Sequence, residues 1–156
     1  MNSTLTSDQE EAVLTAVNHI MIHKSLRESG LSSHKTQFMC LSGYAGTGKS
    51  VVISEIWKLL AKLASDAGLK GCVTTLTGRA CENLNEKGVP CNTAHSLFFE
   101  AVLDHNGNLL YFKKKGLQDL VDEVGDFVIV EEASMMPLDM LDNVFKTGAA
   151  ILFVGD

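Results

Sequence analysis

Apolar residues recur at three- and four-residue spacing at Val13, Leu14, Val17, Ile20 and Met21, which predicts a helix from Thr6 to about Arg27 with one buried stripe. Two overlapping capping boxes open it, Thr6-x-x-Gln9 and Ser7-x-x-Glu10; if the second forms the cap, Gln9 stays free. The polar stretch from Glu28 to Gln37 predicts a loop. A strand follows at Phe38–Ser42, then a helix from Lys49 to Asp66 whose inward positions are Val52, Ile53, Ile56, Leu59, Leu60 and Leu63, stopped at Gly68. The β-branched run Cys72–Leu76 predicts a second strand. A short helix then spans Ala80 to Asn85, and a small segment at Val89-Pro90-Cys91 leads into another short helix after Thr93. Asn106-Gly107 between the apolar flanks Ala101–Leu103 and Leu109–Phe112 predicts a β-hairpin inserted at about 101–116. Beyond it come a helix at Leu117–Val124, the fully apolar strand Phe127–Val130 ending in Glu131-Glu132, a helix from Pro137 to Lys146, and a last strand at Ala150–Val154. Apolar strands alternating with amphipathic helices imply an α/β fold, with a mainly parallel sheet covered by helices on both faces. Residues 1–156 read as a single domain, in which ligands sit at the carboxyl ends of the strands.

Composition changes this picture little. The 156 residues are 46% hydrophobic and carry a net charge of −6, so no global basic field draws the chain to nucleic acid or to an anionic membrane. Binding to nucleic acid must come from local groups. The four cysteines have neither C-x-x-C nor metal-ligand spacing, and Cys40 and Cys72 fall in strand-like runs that predict buried, inert thiols. No apolar signal core and no 18-residue apolar span is present, which predicts a cytoplasmic protein with no membrane partner.

Chemistry enters at Gly43-Tyr44-Ala45-Gly46-Thr47-Gly48-Lys49-Ser50, which fits Gly-x-x-x-x-Gly-Lys-[Ser/Thr] between a predicted strand and a predicted helix. Glycines allow successive backbone N–H groups to converge on one anion, and the helix end adds partial positive charge. Lys49 can reach the β- and γ-phosphates of a nucleoside triphosphate, and the Ser50 hydroxyl can hold Mg²⁺. Hydrolysis also needs carboxylates near the metal and the attacking water. Glu131 and Glu132 supply two at the same sheet edge, Glu131 toward the metal through water and Glu132 as the base.

Together these segments resemble the first RecA-like motor domain of superfamily 1 DNA helicases, in the 5′-to-3′ group typified by RecD and phage Dda. Leu5-Thr6-Ser7-Asp8-Gln9 resembles the motif whose glutamine reads adenine. Gly43–Ser50 resembles motif I, and Val130-Glu131-Glu132-Ala133-Ser134-Met135 resembles motif II. Leu76-Thr77-Gly78-Arg79-Ala80 and Asn92-Thr93-Ala94-His95-Ser96-Leu97 resemble the two motifs that touch the single-strand backbone. Phe153-Val154-Gly155-Asp156 resembles the start of motif III. The resemblance implies ATP and Mg²⁺ as cofactors, a bacterial or phage-infected cell as the setting, and single-stranded DNA along Thr77, Gly78, Arg79, Thr93, His95 and Ser96. The hairpin falls where relatives insert an accessory subdomain that helps split the duplex. Lys113-Lys114-Lys115 beside Tyr111 and Phe112 would there offer cations and a stacking ring.

Two departures qualify that expectation. Motif II normally begins with Asp, and the extra methylene of Glu131 moves its carboxylate by roughly 1–1.5 Å, a displacement of the size that can cost about 100-fold in rate. The chain also ends before the glutamine that senses the γ-phosphate in relatives, and it lacks the second motor lobe. That lobe carries an arginine finger worth about 10³- to 10⁵-fold in related phosphotransferases. The sequence therefore predicts a truncated motor that binds ATP without unwinding DNA until a protein partner supplies the second lobe. The alternative is a non-catalytic nucleotide-binding module that regulates a helicase or replication partner.

Overall fold

The computed structural model describes residues 4–44 and 46–156. Five parallel strands form the central sheet: β1 (Phe38–Ser42), β2 (Gly71–Thr75), β3 (Cys91–Thr93), β6 (Phe127–Glu131) and β7 (Ala150–Gly155), in the order β1-β7-β6-β2-β3. Helix α1 (Ser7–Glu28) and the four-residue α2 (His34–Gln37) precede β1, and α3 (Lys49–Ala67) follows it. Helices α4 (Gly78–Glu86) and α5 (Ala94–Phe98) flank β3. Helix α6 (Leu117–Val124) precedes β6, and a 3₁₀ turn (Ala133–Met135) and α7 (Leu138–Lys146) lead from β6 to β7.

The alternation of β6 shows how the sheet is covered. Phe127 and Ile129 join the core beneath α1, α3 and α4, with Val17, Ile20, Ile53, Ile56 and Leu84. Val128 and Val130 point the other way, into a second core with Leu97, Leu120 and Val144 from α5, α6 and α7. Successive side chains on a strand face opposite sides, so a fully apolar strand needs cover on both. The α/β architecture expected from the alternating pattern is the one observed.

Several local readings are corrected. Leu14 lies off the buried face of α1, at 59% exposure. The expected 28–37 loop contains α2, because Gln37 is buried and donates to the carbonyls of Phe145 (2.8 Å) and Ala149 (3.1 Å). Pro137 caps α7 from outside the helix. Cys40 is exposed, since β1 is an edge strand that pairs only with β7 among the described residues. Cys72 is partly rather than fully buried, and that burial pushes its thiol up to about 12.

Strands β4 (Phe99–Leu103) and β5 (Leu109–Lys114) form an antiparallel hairpin separate from the main sheet. Its turn is built on Asp104, whose carboxylate accepts from the N–H groups of Asn106 (2.8 Å) and Asn108 (2.9 Å), with Gly107 at φ +84°. Among the described residues, no helix is long and apolar enough to cross a membrane.

Candidate functional site

The parallel register brings the carboxyl ends of the strands to one edge. Ser42 lies opposite Gly155, Glu131 opposite Val154, and Thr75 opposite Thr93. Whatever follows each strand therefore opens onto a shared rim.

The loop after β1 occupies one end of that rim. Gly46 and Gly48 have φ +81° and +80°, left-handed values that carry the backbone around the turn with no Cβ penalty. Thr47 donates from its N–H (3.2 Å) and hydroxyl (2.7 Å) to the Tyr44 carbonyl, which closes the turn, while the Tyr44 side chain is almost wholly exposed. Gly48 is the N-cap of α3 and has no side-chain cap, so the first N–H groups of the helix, including those of Lys49 and Ser50, lack an intrahelical acceptor. Such a terminus receives an anion readily. Ala45 lies outside the described residues. Gly43 donates to the Gly155 carbonyl at 3.2 Å, so the loop is pinned to β7 at its base.

Lys49 is half-buried; its ammonium donates to the Gly43 carbonyl at 2.6 Å and pairs with the carboxylate of Asp156. A cavity of about 420 Å³ places Lys49 with Glu131, Glu132, Ser134 and Asp156. The two glutamates differ. Glu131 is half-buried and its Oε2 is buried with no hydrogen-bond partner; burial first, then the neighbouring Glu132, pushes its carboxyl above the ordinary range, and Lys87 and Lys49 oppose that shift. Glu132 is exposed and sits in the left-handed region at φ +57°, the one non-glycine at positive φ among the described residues. Its Oε2 accepts from the Thr75 hydroxyl at 3.3 Å. An orphaned buried carboxylate oxygen beside a second carboxylate is a hard-oxygen donor set, and it fits Mg²⁺.

The readings of the sequence divide here. Gln9 does not leave the cap to Glu10: the Thr6–Gln9 box forms, with Thr6 N–H donating to Gln9 Oε1 at 3.0 Å and Gln9 N–H to Thr6 Oγ1 at 3.2 Å. The same side chain still reaches the loop, where its Nε2 donates to the Thr47 carbonyl at 3.1 Å. Beside it a cavity of about 450 Å³ runs between α1, the end of β1 and the loop, lined by Asp8, Gln9, Ser42, Thr47 and Lys49.

Thr77 caps α4 by accepting from Ala80 N–H at 3.3 Å, Gly78 opens the helix, and Arg79 is exposed. A polar cavity of about 560 Å³ joins Thr77 and Arg79 to Glu131 and Glu132, so the two carboxylates form a wall common to both sites. Thr93 and Ser96 are occupied with each other: Ser96 N–H donates to Thr93 Oγ1 at 3.3 Å, and Ser96 Oγ to the Thr93 carbonyl at 2.9 Å. His95 lies away from that wall, stacked on Phe99 (4.9 Å between ring centres) and edge-on to Phe112 (4.6 Å). It fastens the hairpin to α5. Lys115 is likewise taken, by Glu123 (2.7 Å) and the Ser96 carbonyl (3.0 Å), so the basic run does not present three loose cations. Sequence reasoning missed Thr75 and the Lys49–Asp156 pair; a hydroxyl ending an apolar strand gives no pattern, and the pair depends on β7 lying beside β1.

Comparison with known proteins agrees with the fold. The AAA domain family model matches residues 28–156. Among curated proteins, none matches this chain. Two solved structures resemble the fold. A double mutant of Pif1 helicase from Bacteroides matches with a TM-score of 0.56 at 19% identity, covering 100% of this chain and 33% of that one. Pif1 from Bacteroides sp. in complex with ADP-AlF4 matches with a TM-score of 0.54 at 20% identity, covering 99% and 33%. The chain thus spans about a third of the length of the solved relatives it matches.

Proposed function

Because the chain belongs to the AAA domain family, we propose that it is the ATP-binding motor lobe of an ATP-dependent DNA helicase. In the complete motor, hydrolysis would drive movement along single-stranded DNA. The observation that carries this reading is the cavity in which Lys49, at the start of α3, faces Glu131 and Glu132 across the strand ends. A solved structure of similar fold is named as Pif1 in complex with ADP-AlF4, which supports nucleotide binding as the class of activity.

On this reading the phosphates of ATP rest against the N–H groups of Gly46–Ser50, and Tyr44 borders them. Lys49 exchanges its Asp156 partner for the β- and γ-phosphates, trading one anion for another and so staying compensated. Ser50 and Glu131 would hold Mg²⁺, which supplies charge neutralisation on the phosphate oxygens. Glu132, steadied by the Thr75 hydroxyl, orients the attacking water and takes its proton. Gln9 stabilises the loop from α1 and lines the cavity in which adenine would lie. Single-stranded DNA would run across Thr77, Gly78 and Arg79, one wall away from the carboxylates. There Arg79 and the N-terminus of α4 can meet a phosphate, and the α5 segment from Thr93 to Ser96, with His95, forms the next stretch of that surface.

Labelled ATP with magnesium tests the core of the proposal. Lys49→Ala should weaken association by at least tenfold; equal binding by both forms would refute it. A second reading, a non-catalytic nucleotide module that regulates a partner, is favoured by the glutamate at position 131 and its raised carboxyl. Supplying a second motor lobe to the wild type and to Glu131→Asp separates the two. DNA-stimulated turnover in either supports the motor, and its absence from both supports the module.

A further inference from the structure

The Sγ atoms of Cys81 and Cys91 lie 2.8 Å apart, although ten residues separate them and no spacing rule pairs them. Cys81 faces inward from α4, at 6% exposure, one turn beyond Thr77–Arg79. Cys91 is the first residue of β3 and half-buried, so a small solute can reach it. The two backbones are already fixed: Cys91 N–H donates to Asn85 Oδ1 of α4 at 2.9 Å, and Gly88, at φ +80°, turns the chain between them. Bond formation needs the sulfurs to approach by less than an ångström, to about 2.05 Å.

We propose that Cys81 and Cys91 are an oxidisable dithiol, a modification site at which a peroxide closes a disulfide between α4 and β3. Cys91 sulfur attacks one peroxide oxygen, the O–O bond breaks, and the departing oxygen takes up the thiol proton and leaves as water; the product is a sulfenic acid. Cys81 sulfur then attacks the sulfenic sulfur, its own proton leaves with the hydroxyl as a second water, and the S–S bond forms. Two thiols are oxidised, one peroxide is reduced, and two waters result. Burial first, then the Cys81 thiol beside it, holds the Cys91 thiol protonated at neutral pH, so closure is slow and answers to sustained peroxide. The crosslink fixes the spacing of the two segments that lead to Thr77–Arg79 and Thr93–Ser96. That consequence rests on the DNA reading above, whereas the modification itself does not.

The test is peptide mapping of the full chain after treatment with millimolar hydrogen peroxide and alkylation. Trypsin cuts after Arg79, Lys87 and Lys113, so the two cysteines fall in separate peptides, 80–87 and 88–113. The expected product is a linked pair of these peptides, two hydrogen masses lighter than their sum and released by reduction, with no disulfide-linked dimer on a non-reducing gel. It should be absent from Cys81→Ser and Cys91→Ser. Unlinked peptides in the wild type, with the exposed Cys40 oxidised, would overturn the proposal. Oxidation should also raise the wild-type Tm by roughly 5 °C and leave Cys91→Ser unchanged; a linked chain with no gain in Tm would overturn the claim that the bond constrains the fold.

Discussion

Gln9 donates its side-chain amide to the Thr47 carbonyl at 3.1 Å, and so ties the first turn of α1 to the glycine loop after β1 across 38 residues. One glutamine thus serves two ends: its oxygen closes the capping box and its nitrogen holds the loop. A Cβ on Gly48 would meet that same nitrogen at 2.7 Å, so the contact also depends on a bare backbone there.

Gln9→Ala should therefore lose both functions. The reciprocal bond from Thr6 N–H to the Gln9 side chain is worth about 1 kcal/mol, roughly 2–4 °C in Tm for a chain of this size, while the backbone N–H at position 9 keeps its bond to Thr6 Oγ1. Thermal melting checks the first loss. ATP titration checks the second, with weaker binding expected beyond any effect of Glu10→Ala, because Glu10 takes no part in the box that forms.

Glu131 gives the pH prediction. Folding raises its carboxyl, so the native chain keeps a proton over a range where the unfolded chain has already released it. Stability is lost as pH rises through that window, and the loss persists at neutral pH. Glu131→Gln should consequently melt higher than the wild type at pH 7. The difference should shrink toward zero at pH values acidic enough to protonate Glu131 in both states. Melting curves from pH 4 to 8 decide it; a constant offset would contradict the assignment.

Gly71 begins β2 directly against the Phe127 ring, where an added Cβ would lie 2.1 Å from a ring carbon. Gly71→Ala should cost about 1–3 kcal/mol by overpacking. ATP affinity of the folded fraction should stay unchanged, since Phe127 starts β6 at the end of the strand opposite Glu131. Denaturant titration and nucleotide binding measured on the same samples check both parts.

Phe112→Ala removes the ring that His95 meets edge-on. An aromatic pair of this kind contributes about 0.5–1.5 kcal/mol. Because the hairpin packs as its own two-stranded sheet, the loss should be local. Amides of β4 and β5 should exchange faster with solvent while those of β6 and β7 stay protected.

The layered fold was legible because Phe127–Val130 and Ala150–Val154 are apolar at every position, a pattern that only a strand covered on both faces sustains. The glycine turn between β1 and α3 was legible because Gly46 and Gly48 meet a backbone requirement, positive φ, at fixed spacing before Lys49. Side-chain commitments were not. The sequence offered two capping boxes, Thr6 with Gln9 and Ser7 with Glu10, and the choice fell to Thr6 in a structure where the Gln9 amide also reaches Thr47. The ring partners of His95 were not legible because nothing in the sequence shows that Phe99 and Phe112 converge on it. Cys40 looked buried because strand order, which leaves β1 at an edge, is not written in local periodicity.

The pairing of β1 with β7 sets the timetable of synthesis. Phe38 leaves the ribosome more than a hundred residues ahead of Ile151, its partner in the sheet. Until then the nascent first strand and the glycine turn after it have no neighbour to register against, and the apolar faces of α1 and α3 wait half-assembled. Long-range pairing of this kind is slow, and the edge it leaves open in the interval is exposed to aggregation.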